Sequence, residues 1–276
     1  MLTAEQVYPS DITDEQWDAI RDMIPCARRG GRPRKINIRI IINAVLYLNK
    51  NGCTWRSLPV NFPPWQTVYD YFRKWIHEGV WRRIHDRLRN RLRVSKGKKK
   101  SPTTLIIDSQ SIRAPKGECR GYDGFKGVIG RKRQILVDTF GMVHAVRVHS
   151  ANFGDMILGH LTFEDLVTRS RLKRIYADKG YRKTFVENTE KEFGFKPNIP
   201  DVRKDSGQGK KKKAVDKRAD RKLRNDTPKR WIVERTFAWF GNYRRLSKDY
   251  ERKTETSEIM IYLSMTQLLL RRLYPD

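Results

Sequence analysis

The acidic residues with a chemical possibility stand at particular places in the chain. Asp108 closes the apolar, β-branched run 104–107 and is followed by Ser109-Gln110-Ser111. Asp178 closes a second run, 174–177, and is followed by Lys179-Gly180-Tyr181. Glu234 lies among Trp231, Val233, Phe237 and Phe240 at helical spacing. Acids at strand ends converge where solvent can enter. Their hard oxygens suit Mg²⁺ or Mn²⁺, and two such ions about 3.5–4 Å apart can activate a nucleophile and stabilise an in-line leaving group at a phosphodiester. Each acid also has a plainer reading. Either aspartate can be a turn or cap residue, and Glu234 can be an exposed helix carboxylate paired with Arg230. Taken together, two strand ends and one helix are more informative than any one of them.

The elements that must position these acids follow from periodicity. The run 104–107 reads as a strand, and 133–139 with 142–148 as a hairpin about Phe140-Gly141. Then come a helix over 155–167, a strand over 174–177, a helix over 184–193 and a strand over 196–199. Thr227-Pro228 opens a helix running through Phe240, and an amphipathic helix covers 257–273. This order predicts an α/β layer architecture with a mixed sheet. Ahead of it the periods are helical: 13–24, 38–52, a turn at 55–58, a helix opened by Pro63-Pro64, and another carrying Trp81, Ile84, Leu88 and Leu92. Helix, tight connection, helix is the helix-turn-helix arrangement, which places Arg73 and Lys74 on the candidate recognition helix. The basic stretch 94–101 marks a boundary, giving a small all-helical domain over 1–94 and a catalytic domain over 101–276.

Other polar residues read as structural. Asp138 precedes the Phe140-Gly141 turn and is expected to serve the hairpin, while Asp155 is expected to cap the helix after it. His144 and His149 alternate with apolar residues on a strand and read as satisfied core histidines. The aromatic stretch 65–81 reads as helical-bundle core before it reads as a base-stacking surface.

Charge narrows the function. The 59 Lys and Arg against 31 Asp and Glu leave a net +28 and a pI near 10.3. Such a field attracts polyanions, of which nucleic acid is the abundant one. Segment 203–230 alone holds 13 Lys and Arg against 4 Asp, and Lys210, Lys211, Lys212 and Lys213 are expected to meet DNA phosphates. Three scattered cysteines suit neither a disulfide framework nor a zinc cluster and point to a reducing cytoplasm. The apolar stretch 259–270, interrupted by Ser264, Thr266 and Gln267, is too short and too polar to cross a bilayer. Among DNA-directed functions, a nuclease that cuts without joining and a non-enzymatic DNA-binding regulator compete with a strand-transfer enzyme.

Several longer runs carry a resemblance. They are Asp14-Glu15-Gln16-Trp17, Gly31-Arg32-Pro33-Arg34, Gly52-Cys53-Thr54-Trp55-Arg56-Ser57-Leu58-Pro59 and Phe62-Pro63-Pro64-Trp65. Further along stand Ile106-Ile107-Asp108-Ser109-Gln110-Ser111, Gly130-Arg131-Lys132-Arg133 and Ala177-Asp178-Lys179-Gly180-Tyr181. The last are Arg230-Trp231-Ile232-Val233-Glu234-Arg235-Thr236-Phe237 and Arg244-Arg245-Leu246-Ser247-Lys248-Asp249-Tyr250-Glu251. Over nearly its whole length the chain resembles bacterial insertion-sequence DDE transposases of the insertion-sequence four and five group. The resemblance implies a ribonuclease H-like fold with Asp108, Asp178 and Glu234 as catalytic metal ligands for Mg²⁺ or Mn²⁺. It further implies a homodimer on double-stranded DNA that binds the element's terminal inverted repeats, frees a 3′-hydroxyl and joins it to target DNA. Lys179 and Arg230 would hold phosphates. The group's signature also has a Tyr and a Lys flanking the glutamate. Thr227 and Gly241 occupy those positions here, so Arg244, Arg245 or Lys248 would have to substitute.

Overall fold

The computed structural model describes residues 8–27, 30, 34–115, 117–164, 166, 171–199 and 230–275. The lysines at 210–213 and the expected Thr227-Pro228 cap lie outside the described residues.

Four helices come first: α1 (Asp14–Asp18), α2 (Ile38–Asn51), α3 (Trp65–His77) and α4 (Val80–Ser95). Thr13 caps α1 in a reciprocal capping box with Gln16. The helix expected over 13–24 stops early and gives way to a 3-10 turn, Arg21–Met23. Gly52, at φ 73°, ends α2 in the left-handed conformation that favours glycine. Phe72, Trp75 and Trp81 are buried, so much of the aromatic stretch does serve as bundle core.

The sheet follows with β1 (Thr104–Arg113), β2 (Gly121–Asp123), β3 (Val128–Val137), β4 (Val143–Ser150) and β5 (Arg174–Tyr176). β1 is central, antiparallel to β3 and parallel to β5, while β4 and β2 both pair with β3. The sheet is therefore mixed, as expected. Asp108, however, does not end its strand. β1 continues to Arg113 because β3 pairs with it throughout, from Ile106 opposite Val137 to Arg113 opposite Gly130. Gly130 permits this close approach, since a Cβ there would stand 1.9 Å from the Ile112 carbonyl oxygen.

Two short helices, α5 (Asp155–Leu158) and α6 (Leu161–Glu164), replace the single helix expected over 155–167. The strand expected over 196–199 is reduced to one bridge, Tyr176 to Asn198. The remaining helices are α7 (Thr184–Phe193), α8 (Arg230–Phe240) and α9 (Thr254–Leu273).

Burial explains how these layers hold. One sheet face packs Leu105, Ile107 and Leu136 against Phe163, Tyr181 and Phe185. The other face packs Ile106, Ile135 and Val137 into a larger core shared with α8, α9 and the N-terminal helices. Asn49 of α2 donates to the Met260 carbonyl (3.2 Å) and the Ser264 hydroxyl (2.9 Å) of α9, and Arg89 of α4 donates to the Val143 carbonyl of β4 (3.2 Å). The core thus runs across the basic stretch at 94–101.

Buried charge fixes two of the connections. Asp138 accepts from the Phe140 and Met142 amides at 2.8 and 3.0 Å and pairs with Arg93 and His144, so it is the hairpin residue expected. Burial pushes His144 down to about 4, which leaves it a neutral structural group. Arg131 and Arg133, fully buried on β3, donate to carbonyls of Glu251 (2.9 Å) and Leu246 (2.8 Å) and so tie segment 244–252 to the sheet. Replacing Asp138 with Ala would strip Arg93 of its buried partner and cost about 3–5 kcal/mol. Urea denaturation should show that loss, and a cost below about 1 kcal/mol, the ordinary scale of an exposed pair, would contradict the role assigned to it.

Candidate active site

Register brings the two aspartates together. Ile106 lies opposite Tyr176 in the parallel β1–β5 pair, and both side chains enter the larger core. Two residues on, Asp108 continues β1 on that face, and Asp178 follows just past the end of β5, close enough for its charge to act on Asp108. Each carboxylate is fixed by a following amide. Ser109 donates to Asp108 at 2.7 Å and Gly180 to Asp178 at 2.7 Å. Asp108 is half-buried, and burial is the main reason its carboxyl is pushed up to about 6. The Asp178 charge adds to this, while the Ser109 amide and the charges of Arg230 and Lys126 oppose it.

The glutamate arrives from α8. Arg230, Glu234, Phe237 and Gly241 fall on one stripe of that helix. Phe237 and Gly241 line a groove of about 360 Å³ with Gln110 and Ile112 of β1, and Arg230 is close enough to act on Asp108. Glu234 sits between these points, exposed, with Arg230 3.3 Å from its carboxylate. The helix is pinned from its other side. Thr236 donates to the Gly141 carbonyl (2.9 Å) and Arg235 to the Phe140 carbonyl (3.1 Å), both in the β3–β4 turn. Gly141, at φ 80°, leaves no room there for a Cβ beside Thr236 and Trp239.

Around the acids the structure distributes the other candidates unevenly. Lys179 and Arg230 are exposed beside Asp178 and Glu234 in sequence, and Lys248 lines the groove. Arg244 is exposed, next to Gly52. Arg245 does not fit the phosphate role. Its buried guanidinium is bound to Glu251 (2.6 Å) and the Cys53 carbonyl (3.0 Å), where it joins the N-terminal helices to segment 244–252. Arg73 and Lys74 lie on α3, far along the chain from the acids. Arg73 is over the Tyr69 ring and lines a cleft of about 510 Å³ with Trp55 and Tyr250, while Lys74 lies 3.9 Å from Glu78.

Two residues near the acids escaped the sequence reading. Tyr181 is fully buried, its phenol raised first by burial and then by Asp155, Asp108 and Asp178. Asp155 does not cap α5, whose N-cap is Gly154. Its carboxylate instead accepts from Gln134 (3.3 Å) and pairs with Lys132 (3.5 Å). The spacing Asp178-Lys179-Gly180-Tyr181 was a usable signal for the tyrosine. None existed for Asp155, whose partners come from β3.

Could these residues hold a cation? The donors are all hard oxygens, and Asp108 is held where burial and a neighbouring acid disfavour its charge, a penalty that a bound cation would relieve. Among the described residues, no three His, Cys, Asp or Glu side chains stand close enough to enclose a metal. Asp108 and Asp178 fit the role as they stand, whereas Glu234 is turned to Arg230.

Comparison with known proteins decides the family. Residues 12–85 match the family described as "Putative transposase of IS4/5 family", and residues 99–269, more than half the chain, match "Transposase DDE domain". The chain belongs to the DDE transposases. The sheet order and flanking helices agree with the ribonuclease H-like fold that this domain implies, and transposases of this kind use divalent metal ions and bind DNA. An insertion element IS402 uncharacterized 16.2 kDa protein of Burkholderia cepacia is 32% identical over 109 residues, covering 37% of this chain and 73% of that one. A protein described as "Putative transposase for insertion sequence element IS402", from the same organism, is 29% identical over 160 residues, 55% of this chain and 67% of that one. An uncharacterized protein of Sinorhizobium fredii, y4sN, is 32% identical over 69 residues, 25% of this chain and 55% of its own length. No helix among the described residues is long and apolar enough to cross a membrane.

The raised Asp108 carboxyl gives this transposase a testable pH signature. Its folded form holds a proton more tightly than the unfolded chain, so its contribution is present at low pH and lost as pH rises through about 6. At about pH 7 the metal-free protein therefore carries a penalty of about 3 kcal/mol at most. Asp108→Asn should raise stability at that pH in chelator, and the gain should vanish below about pH 4. Chemical denaturation at the two pH values checks this, and a variant no more stable than wild type at the higher pH would refute it.

Proposed function

We propose that this chain is a transposase that binds the terminal inverted repeats of its own element, cleaves a phosphodiester there and joins the freed 3′-hydroxyl to target DNA. The observation that carries the reading is that Asp178 and Arg230, the partner of Glu234 on α8, both lie close enough to Asp108 to act on its carboxyl. In this proposal all three would hold the metal through their carboxylate oxygens. Bound Mg²⁺ or Mn²⁺ would supply a nucleophile at neutral pH and charge stabilisation on the phosphoryl group. The chain's own part is positioning. Gly180 and Ser109 amides fix the two aspartates, and the pinned α8 sets the height of Glu234. Release of Glu234 from Arg230 would free the guanidinium for a DNA phosphate at the same moment.

Binding is divided between reading and holding. We assign α3, with Arg73 and Lys74, to base edges in a helix-turn-helix geometry, and Lys179, Arg244, Lys248 and the lysines at 210–213 to phosphates. Residues 1–94 form the recognition part and 101–276 the catalytic part, working as a homodimer because two ends must meet.

Asp108→Asn, Asp178→Asn and Glu234→Gln should each abolish cleavage of terminal-repeat duplexes in Mg²⁺ while leaving binding within about two-fold, since a neutral isostere removes a metal ligand and no phosphate contact. Near wild-type cleavage by any one of them removes that residue from the site, and robust cleavage in excess EDTA removes the metal. Products that are cut but never joined to a second duplex would leave a nuclease in place of a transposase.

Deleting the lysines at 210–213 should weaken all duplexes alike and flatten the salt dependence, each lost phosphate contact removing about 0.9 from the log–log slope. Arg73→Ala should instead weaken the repeat more than a scrambled duplex. Salt-titrated binding of the full chain to both duplexes separates these effects, and equal losses for both sequences in Arg73→Ala would withdraw α3 from base reading.

A further inference from the structure

The β2–β3 hairpin carries an exposed apolar tip that packs on none of the cores formed by the described residues. Phe125, at the turn, has a relative exposure of 105%, and the cross-strand pair Tyr122 and Ile129 just behind it is 58% and 57% exposed. A lone surface apolar residue needs no explanation, but three at the end of one projection do. The tip is also rigidly built. The buried Asp123 carboxylate accepts from the Phe125 amide (3.1 Å), the Lys126 amide (3.3 Å) and the Ser111 hydroxyl (2.5 Å), with the Lys132 ammonium 3.9 Å away. Gly127 closes the turn at φ 63°. Such support fixes where Phe125 points at little entropic cost on binding.

Its position relative to the acids gives the tip a role. Val128, paired with Asp123 where the turn closes, lines the groove with Gln110 of β1 and Phe237 of α8, which stand two residues from Asp108 and three from Glu234. The Lys126 ammonium reaches far enough back to act on Asp108. A strand lying in that groove with its scissile phosphate at the acids would meet the hairpin tip next.

We propose that Phe125 is a wedge that enters the DNA duplex beside the scissile phosphate and unstacks one base step, with Lys126 holding the adjoining phosphate. DNA is the occupant because the chain carries a net +28 and because the tip pairs an aromatic ring with a lysine at the edge of a phosphodiester site. Inserted apolar side chains open base steps and kink duplexes in this way. The inference rests on the transposase reading and adds to it a residue that distorts the substrate.

The test uses the full chain and duplexes carrying the inverted repeats that flank its gene, with 2-aminopurine placed at successive steps around the cut. Wild type should raise the fluorescence of one step on binding. Phe125→Ala should abolish that rise and weaken binding about ten-fold, about 1.4 kcal/mol, within the range for one base stacked on an aromatic ring. Phe125→Leu, a smaller wedge, should retain part of the rise. Because the ring touches solvent alone, both variants should melt like wild type. Sedimentation of free and DNA-bound protein tests the competing possibility of a contact between copies. An unchanged fluorescence rise in Phe125→Ala, or a rise lost only because the assembly falls apart, overturns the wedge. If wild type cuts the repeats while either of these holds, the transposase reading stands and the wedge alone is lost. If wild type neither binds nor cuts them, both are lost.

Discussion

Two carboxylates that repel one another are held close together, one on β1 and one just past the end of the parallel strand β5, and much of the rest of the structure answers to that constraint. Asp108 cannot retreat, because β1 is clamped between β3 and β5 and its neighbours Ile106 and Ile107 are buried on opposite faces. Asp178 cannot retreat, because Gly180 bonds its carboxylate and Tyr181 is locked beneath it. The cost appears in the raised carboxyl of Asp108. A fold selected for stability alone would place an apolar or amide group there. Retaining a destabilised acid is what a site needing a cation or a transferable charge requires.

The positive charge of the chain divides into two populations. Arg93, Arg131, Arg133 and Arg245 are buried and spent on carbonyls and carboxylates that join elements distant in sequence. Lys126, Lys179, Arg230, Arg244 and Lys248 remain exposed, and Lys248 lines the groove. The buried set shows why a basic motif such as Gly130-Arg131-Lys132-Arg133 need not touch DNA. Guanidinium forks satisfy several carbonyls at once, and here they hold the segment 244–252 in place against β3.

Much of this was legible beforehand, and the failures have physical causes. The three acids were singled out because apolar runs stop at Asp108 and Asp178 and because Glu234 sits on a periodic helix. β1 was cut short at Asp108 because Ser109, Gln110 and Ser111 look like loop, although antiparallel pairing with β3 keeps them extended. β2 was invisible for a similar reason, being three residues of which one is glycine. Asp155 was given to the nearest helix because a sequence shows only local partners, whereas Lys132 and Gln134 reach it across the sheet. Arg245 was offered with Arg244 and Lys248 as a substitute for the missing signature residues, because a sequence does not show the Glu251 carboxylate and the Cys53 carbonyl that hold it.

The N-terminal helices and the sheet share one apolar interior, with α9 threaded between α2, α4 and β4. Among the described residues the packing between them is continuous. On the proposed division of labour, a DNA sequence gripped by the helices would therefore be carried at a set offset from Asp108 and Asp178, as marks are carried on a ruler. The phosphate cut would then be chosen by distance from the gripped sequence, and the bases at the cut itself would be left free to vary.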